Sequence, residues 1–383
     1  MYFETQIDRT KSFSEKWNKF KGRDILPLWV ADSDYKTAPA VIDALQERVD
    51  HGVFGYTDQP TTDVKEAIVY HLKTQHNWDV DAEWIVPLNS IVSGLTLSCL
   101  VAGNEGDALV LPATIYPPFN FVVANTKRTS IRIPVVLKDE RWLLDFDTLE
   151  TSITADTKML LFCNPHNPGG VVYTKAELEH LHSICERHDL LISSDEIHCD
   201  LILDEDKKHI PIASLNTDAL KRTITLMAAS KTYNIAGLGL GFAIIADTKL
   251  RTQFKKHARE RMPDVNLLAQ VATTAAFNHG EPWRLAQMDH LRKNRDYLLQ
   301  EINAIPGLKM FPLESTFLAW VDVSELKLPD VEKFFEDAGV GISAGKNFGD
   351  GHFIRINFAC SMATLTEAVA RIRKAIAEIS ITG

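Results

Sequence analysis

Short apolar runs alternate with helical patterns through the middle of the chain. Runs of this kind, bounded by polar and turn-forming residues, are typical of strands buried on both faces. They cover residues 108–111, 159–163, 190–193, 223–227 and 241–246. Because strands that alternate with helices build parallel sheets, we predict an α/β fold whose large domain has a mostly parallel sheet between layers of helices.

One of the intervening helices has a clear start. Thr174 and Glu177 form the pair expected of a capping box. The apolar stripe that follows consists of Leu178, Leu181, Ile184 and Cys185. This spacing predicts a helix with one face against the sheet.

The two ends of the chain have a different pattern. After about residue 280 the apolar positions predict a long helix, then short strands, then a final helix. These segments are residues 291–302, 317–323, 340–343, 353–359 and 365–376. The pattern is α+β. We therefore predict a small C-terminal domain (281–383), a large domain (46–280) and an N-terminal segment (1–45) that packs with the small domain.

Charge and composition narrow the class of protein. The 383 residues include 41 Lys and Arg against 51 Asp and Glu, a net charge of −10, which disfavours nucleic acid and anionic membranes as partners. The longest apolar run, residues 235–246, is shorter than the ~20 residues of a membrane span. The five cysteines form no C-x-x-C pair, as in proteins of a reducing compartment. We expect a cytoplasmic enzyme without nucleic-acid or membrane partners.

Two charged residues follow predicted strands. Lys231 comes after the run at 223–227, and Asp195 follows the run at 190–193. A lysine at such a position can be partly desolvated, which lowers its pKa and suits Schiff-base chemistry, although surface lysines are more common. A carboxylate at the end of a parallel strand points to the crevice where α/β proteins bind ligands, although a helix cap would explain Asp195 as well.

Three weaker signals accompany them. The segment 90–94 precedes a predicted helix whose free N–H groups could bind phosphate. Asn167 lies in a stiff Asn-Pro turn and could donate to a ligand oxygen. Arg355 lies in an apolar strand, where it needs either a ligand carboxylate or a structural salt bridge. A metal site at His180, His182, Cys185 and His188 is disfavoured, because their spacing on one helix is irregular.

The order of these signals resembles that of the fold-type I pyridoxal 5′-phosphate (PLP) enzymes, the class I/II aminotransferase superfamily. A narrower resemblance is to the MalY/PatB group of cystathionine β-lyases. It rests on S-E-K-W-N, L-P-L-W-V-A-D, G-V-F-G-Y-T, S-D-E-I-H-C-D-L and S-K-T-Y-N-I-A-G-L, at residues 14–18, 26–32, 52–57, 194–201 and 230–238. The similarity spans essentially the whole chain.

The resemblance implies a role for each candidate residue. Lys231 would hold PLP as a Schiff base, Asp195 would bind the pyridine nitrogen and Tyr116 would stack on the ring; these three form the implied catalytic set. The remaining implied cofactor contacts are Asn167 and His198 near the ring hydroxyl, the Ile91 and Val92 amides and the Ser230 hydroxyl at the phosphate, and Tyr56 at the phosphate of a neighbouring subunit. His198 stands where aminotransferases have tyrosine, as in the lyase group.

The substrate side is implied in the same way. Arg355 would clamp the α-carboxylate, with Asn167 beside it. Apart from the resemblance, Trp29 is a candidate for the wall of the substrate cleft, although a tryptophan is more often part of the core. A contribution from Tyr56 implies a homodimer with active sites at the subunit interface. The implied reaction is β-elimination of L-cystathionine to homocysteine, pyruvate and ammonia, with cysteine, cystine and other S-conjugates as further substrates. Transamination, or a regulatory role of a PLP-binding fold, remains an alternative.

Overall fold

The computed structural model describes residues 2–382. The strands in that range are β1 (Leu26–Pro27), β2 (Ile85–Leu88), β3 (Ala108–Pro112), β4 (Thr129–Ile133), β5 (Val135–Lys138), β6 (Arg141–Leu144), β7 (Thr157–Cys163), β8 (Leu191–Asp195), β9 (Thr223–Met227), β10 (Gly241–Ile244), β11 (Lys309–Met310), β12 (Leu318–Asp322), β13 (Val340–Gly341), β14 (Ser343–Ala344) and β15 (Phe353–Asn357).

The helices in the same range surround these strands. They are α1 (Glu15–Asn18), α2 (Pro39–His51), α3 (Thr62–His76), α4 (Ile91–Val101), α5 (Pro118–Asn125), α6 (Phe146–Ser152), α7 (Lys175–Arg187), α8 (Thr217–Arg222), α9 (Thr248–Arg261), α10 (Leu267–His279), α11 (Glu281–Asn303), α12 (Val331–Asp337) and α13 (Met362–Thr382). Helix α7 has the predicted capping box between Thr174 and Glu177. Within the described range, no helix combines the length and the apolar character that a membrane span requires.

The large sheet has the strand order β2-β10-β9-β8-β7-β3-β4 among the described residues. The five strands from β9 to β4 pair in parallel, whereas β10 is antiparallel to both of its neighbours. The predicted α/β fold with a mostly parallel sheet is therefore confirmed.

Side chains on opposite faces of this sheet enter different cores. Leu109, Leu161 and Ile224 pack with α4, α5 and α9 on one face. Val110 and Leu160 pack on the other face with the apolar stripe of α7. This alternation follows from the two-residue period of a strand, and burial of both faces explains why the central strands are apolar throughout.

A smaller sheet follows in the C-terminal part of the chain. Strands β11, β12, β15 and β14 are antiparallel neighbours in that order. The N-terminal segment joins this part through β1, which pairs in parallel with β13, with Leu26 opposite Val340. These elements match the α+β pattern that the sequence predicts for the C-terminal part.

The strand directions place the candidate residues along one edge. Because β2 is antiparallel to β10, and β10 to β9, the carboxyl end of β2 lies at the same edge as those of the parallel strands. That edge is the ligand-binding edge of an open α/β sheet. Most of the residues singled out from the sequence lie at the carboxyl ends of β2, β3, β7, β8 and β9 or in the segments that follow them.

Candidate active site

A cavity of about 460 Å³ lies at the carboxyl edge of the large sheet. Its walls come from that sheet, from the segment after α1 and from the C-terminal part of the chain. The predicted residues that line it are Trp29, Ile91, Val92, Tyr116, Asn167, Asp195, His198, Ser230, Lys231 and Arg355. Residues more than 300 positions apart in the sequence, such as Trp29 and Arg355, thus meet in one site of a size typical for small-molecule ligands.

Lys231 lies in the loop after β9 and is half-buried in this cavity. Its Nζ donates to the carbonyl oxygen of Ala31 at 2.7 Å. Burial, aided by the positive charge of Arg355, lowers the pKa of Lys231 to about 8. A substantial fraction of the amine is therefore neutral at physiological pH, as a nucleophile or a general base requires.

Asp195 ends β8 and is 4% exposed. One carboxylate oxygen accepts from the Ile197 N–H at 3.1 Å, and among the described residues no cation lies within the 4.0 Å of an ion pair. Burial raises the pKa of Asp195 to about 7. A buried carboxylate in this state gains most from a cationic ligand beside it, since that ligand would restore the ionised form.

Arg355 lies in the middle of β15 and is 4% exposed. Its Nη1 donates to Asn167 Oδ1 and its Nη2 to the Trp29 carbonyl, both at 3.0 Å, while Nε has no partner. No carboxylate of the described residues is within 4.0 Å, so the structural salt bridge considered from the sequence is not found there. Burial lowers the pKa of Arg355 to about 10. The guanidinium is thus available for a ligand carboxylate.

Helix α4 begins at another wall of the cavity. The Ser90 side chain caps the helix by accepting from the Ser93 N–H at 3.1 Å. The preceding N–H groups, those of Ile91 and Val92, have no acceptor within the helix. With Ser230 on the same cavity, they form a site suited to an anion.

Tyr116 and His198 complete the polar lining. Burial raises the pKa of Tyr116, and the charge of Arg355 opposes this rise. Burial also lowers the pKa of His198 to about 3, with contributions from the charges of Lys231 and Arg355. His198 is therefore neutral near pH 7, and its Nδ1 has no partner.

Tyr56 is the one predicted site residue that lies outside the cavity. Its side chain is fully exposed beside a shallow surface depression that also contains Phe54 and residues 264–268. It makes no contribution to the cavity of its own chain.

Several lining residues were missed in the sequence. They include Glu15, Ala31, Asn89, Ser343, Asn347 and Phe348. Asn89, with a buried and unpartnered Oδ1, directly precedes the predicted phosphate segment, and this adjacency could have identified it. Ala31 contributes its carbonyl oxygen, for which an alanine gives no sequence signal.

A second cluster of polar side chains includes Thr232, the residue after Lys231. Asp200 accepts from His71 Nε2 at 3.0 Å, from His76 Nε2 at 3.0 Å and from the Thr232 hydroxyl at 3.4 Å. The three ionisable groups are close enough to share a metal ion. Hydrogen bonds at these distances nevertheless satisfy the carboxylate within the chain.

The helix for which a metal site was weighed from the sequence has other contacts. On α7, His182 Nε2 donates to Asp218 at 2.9 Å. Cys185 is buried in the apolar core between α7 and the sheet. Both side chains are thus occupied by structural contacts.

Comparison with known proteins places this geometry in context. The sequence pattern of the family described as aminotransferase class I and II matches residues 23–372. The cystathionine β-lyase PatB of Bacillus subtilis (strain 168) is 34% identical over 389 aligned positions, which cover 98% of this chain and all of PatB.

Two solved structures superpose on nearly the whole chain. The crystal structure of OvoB is 43% identical with a TM-score of 0.95, over 98% of this chain and 99% of OvoB. Cystalysin from Treponema denticola, whose structure contains PLP, is 32% identical with a TM-score of 0.94, over 99% of this chain and all of cystalysin. These likenesses agree with the family resemblance drawn from the sequence motifs.

Proposed function

Because the chain belongs to the aminotransferase class I and II family, within which it matches PatB over its full length, we propose that it is a PLP-dependent carbon–sulfur β-lyase. Its reaction is the β-elimination of sulfur amino acids. With L-cystathionine and water, the Cβ–S bond breaks to give homocysteine, pyruvate and ammonia. Support comes from PatB, which is named a cystathionine β-lyase, and from cystalysin, whose structure contains PLP.

The observation that carries the proposal is the set of three charged groups kept apart in one cavity. Lys231 has a lowered pKa, Asp195 has a raised pKa and no cationic partner, and Arg355 has an unpartnered Nε. These are the groups that a cofactor with an aldehyde and a protonated pyridine nitrogen, and a substrate with a carboxylate, would engage. When bound, PLP supplies an electron-withdrawing ring that stabilises negative charge at the substrate Cα.

Lys231 has two roles in this proposal. Its Nζ would hold PLP through the aldehyde of the cofactor, and its free amine would take the proton from the substrate Cα. The Ala31 carbonyl, 2.7 Å from Nζ, holds the free amine within the cavity. A pKa of about 8 suits this proton transfer near neutral pH.

The other residues bind and orient. Asp195 would keep the pyridine nitrogen protonated, and Tyr116 would stack on the ring. Asn167 and His198 would contact the ring hydroxyl. The further cofactor contacts of this proposal are the Ile91 and Val92 amides and the Ser230 hydroxyl at the phosphate.

Arg355 holds the substrate α-carboxylate, while Asn167 accepts from its guanidinium at 3.0 Å and keeps it in place. Trp29 forms the adjacent wall. Fixing the carboxylate orients the Cα–H bond, and positioning of this kind contributes several kcal/mol, roughly 7–11 at the extreme.

The proposal extends to the assembly. Tyr56, exposed on this chain, reaches the phosphate site of a second copy in a homodimer, and its full exposure supports such a role.

A cytoplasmic location is supported by the five cysteines, which are all unpaired and buried. We propose a division of the sequence into an N-terminal segment (1–45), a large domain (46–280) and a small domain (281–383). The pairing of β1 with β13 supports the association of the N-terminal segment with the small domain, and the start of α11 at Glu281 supports the second boundary.

The test is to incubate purified PLP-loaded protein with L-cystathionine while following pyruvate, free thiol and the visible spectrum. We expect pyruvate and thiol to form at equal rates, and Lys231→Ala to abolish both because it removes the Schiff-base amine. Cleavage by Lys231→Ala at the wild-type rate would refute the proposal. Conversion of wild type to a pyridoxamine spectrum without pyruvate would instead indicate a transaminase.

A further inference from the structure

The charges that line the cavity are not all used by the proposed reaction. Among the described residues, the charged lining consists of Glu15, Asp195, Lys231 and Arg355. The last three are assigned to cofactor and substrate. Glu15 is exposed, and no Lys, Arg or His of the described residues lies within 4.0 Å of its carboxylate. An unpaired negative charge therefore remains on the solvent side of the cavity.

The backbone that carries Glu15 is firmly held. The next residue, Lys16, is fully buried, with Nζ 2.9 Å from Asp34 Oδ2. Trp17 Nε1 donates to Asp34 Oδ1 at 3.0 Å, and Trp29 Nε1 donates to the Lys16 carbonyl at 3.0 Å. Helix α1 is thus fixed on both sides of its first turn.

The same contacts connect Glu15 to the carboxylate-binding arginine. Trp29, which binds the Lys16 carbonyl through its indole, accepts from Arg355 Nη2 through its own carbonyl at 3.0 Å. These two hydrogen bonds, with the peptide bond between Glu15 and Lys16, set the position of the Glu15 backbone relative to Arg355. Burial is the main cause of the raised pKa of Tyr116 in the cavity, and the negative charge of Glu15 adds to this rise.

We propose that Glu15 selects substrates whose sulfur substituent carries a positive charge. The inference rests on the proposed lyase function and adds a substrate class to it: S-substituted L-cysteines whose departing thiol carries an amino group and no carboxylate. With the α-carboxylate at Arg355 and the α-amine at the cofactor, the sulfur substituent is the part left to reach the mouth. A cation there meets the unpaired carboxylate, which attracts it over a range set by ionic strength.

A matched pair of substrates isolates this charge. S-(2-aminoethyl)-L-cysteine and S-propyl-L-cysteine have the same chain length, but the first ends in an ammonium group and the second in a methyl group. Each reacts with water to give pyruvate, ammonia and its thiol, cysteamine or propanethiol. The α-proton goes to Lys231, and the electron pair of the Cβ–S bond leaves with sulfur.

The experiment compares kcat/KM for the two substrates with the PLP-loaded enzyme. We expect wild type to favour the aminoethyl substrate about 5- to 10-fold at low salt, somewhat more than an exposed ion pair gives, and less at high salt. Glu15→Gln should bring the ratio close to one. Glu186→Gln, an exposed acid on α7 outside the cavity, is the matched control and should keep the wild-type ratio.

The outcomes separate this inference from the proposed function. A wild-type ratio near one, or a high ratio that Glu15→Gln retains, would overturn the role of Glu15 while leaving the lyase activity intact. Failure of wild type to release thiol from either substrate and from L-cystathionine would overturn the proposed function, and the role of Glu15 with it.

Discussion

Two aspartates five positions apart, Asp195 and Asp200, are both buried, but their pKa values are shifted in opposite directions. Asp195 accepts one backbone N–H, and burial raises its pKa to about 7. Asp200 accepts from His71, His76 and Thr232. The charges and hydrogen bonds of the two histidines outweigh the effect of burial and hold the pKa of Asp200 well below its usual range.

The difference lies in the partners that the chain itself supplies. Burial penalises an isolated carboxylate and is offset only by cations or donors nearby. Among the described residues, Asp200 has two histidines and a threonine hydroxyl as partners, whereas Asp195 has one backbone N–H. A carboxylate of the first kind stabilises the fold, whereas one of the second kind is completed by a ligand, here the proposed pyridine nitrogen.

Replacing Asp195 should have the largest effect, and it should fall on activity. Asp195→Asn is nearly the same size but cannot balance a protonated pyridine nitrogen. We expect kcat for L-cystathionine to fall about 10³-fold, the scale of losing one preorganised electrostatic partner. The measurement is pyruvate release with PLP in excess, accompanied by circular dichroism. A variant with near wild-type kcat would show that Asp195 is not the partner of the cofactor.

Replacing Asp200 should affect stability first. Asp200→Asn leaves two buried imidazoles without their anion, and breaking such a contact costs about 3 kcal/mol, or a fall of roughly 4 °C in Tm for a chain of this length. The contribution of Asp200 should be complete above about pH 4, its unfolded pKa, and lost as pH falls through the lower folded value. Thermal melts of both proteins at several pH values measure this. An unchanged Tm near pH 7, or a larger loss of kcat than in Asp195→Asn, would remove the contrast.

The sequence predicts the strands of the fold where burial on both faces requires a continuous apolar run. The strands β3, β7, β8 and β9 are covered on both faces and appear as apolar runs. Strand β4 was missed because it lies at the sheet edge, where Thr129 and Ser130 are exposed. Strand β2 was missed because its four residues include a proline. The antiparallel direction of β10 depends on its neighbours, so its own residues do not predict that direction.

The candidate site was readable for a similar reason. Asp195 and Lys231 come at or after the ends of apolar strands, and Arg355 lies within one, so each can be singled out in the sequence. In the structure all three line one cavity. The roles assigned to them remain predictions. Glu15 resembles any exposed acid, and Ala31 contributes a backbone oxygen, so only the three-dimensional arrangement identifies them.

The most direct test of the contrast is an infrared pH titration of the two aspartates. In the cofactor-free protein, we predict a protonated carboxyl band that disappears as the pH rises through about 7, is missing in Asp195→Asn and persists in Asp200→Asn. PLP binding should remove the band at pH 6, because the pyridinium favours the ionised carboxylate. A cofactor-free protein with no such band, or a band that PLP leaves in place, would contradict the account.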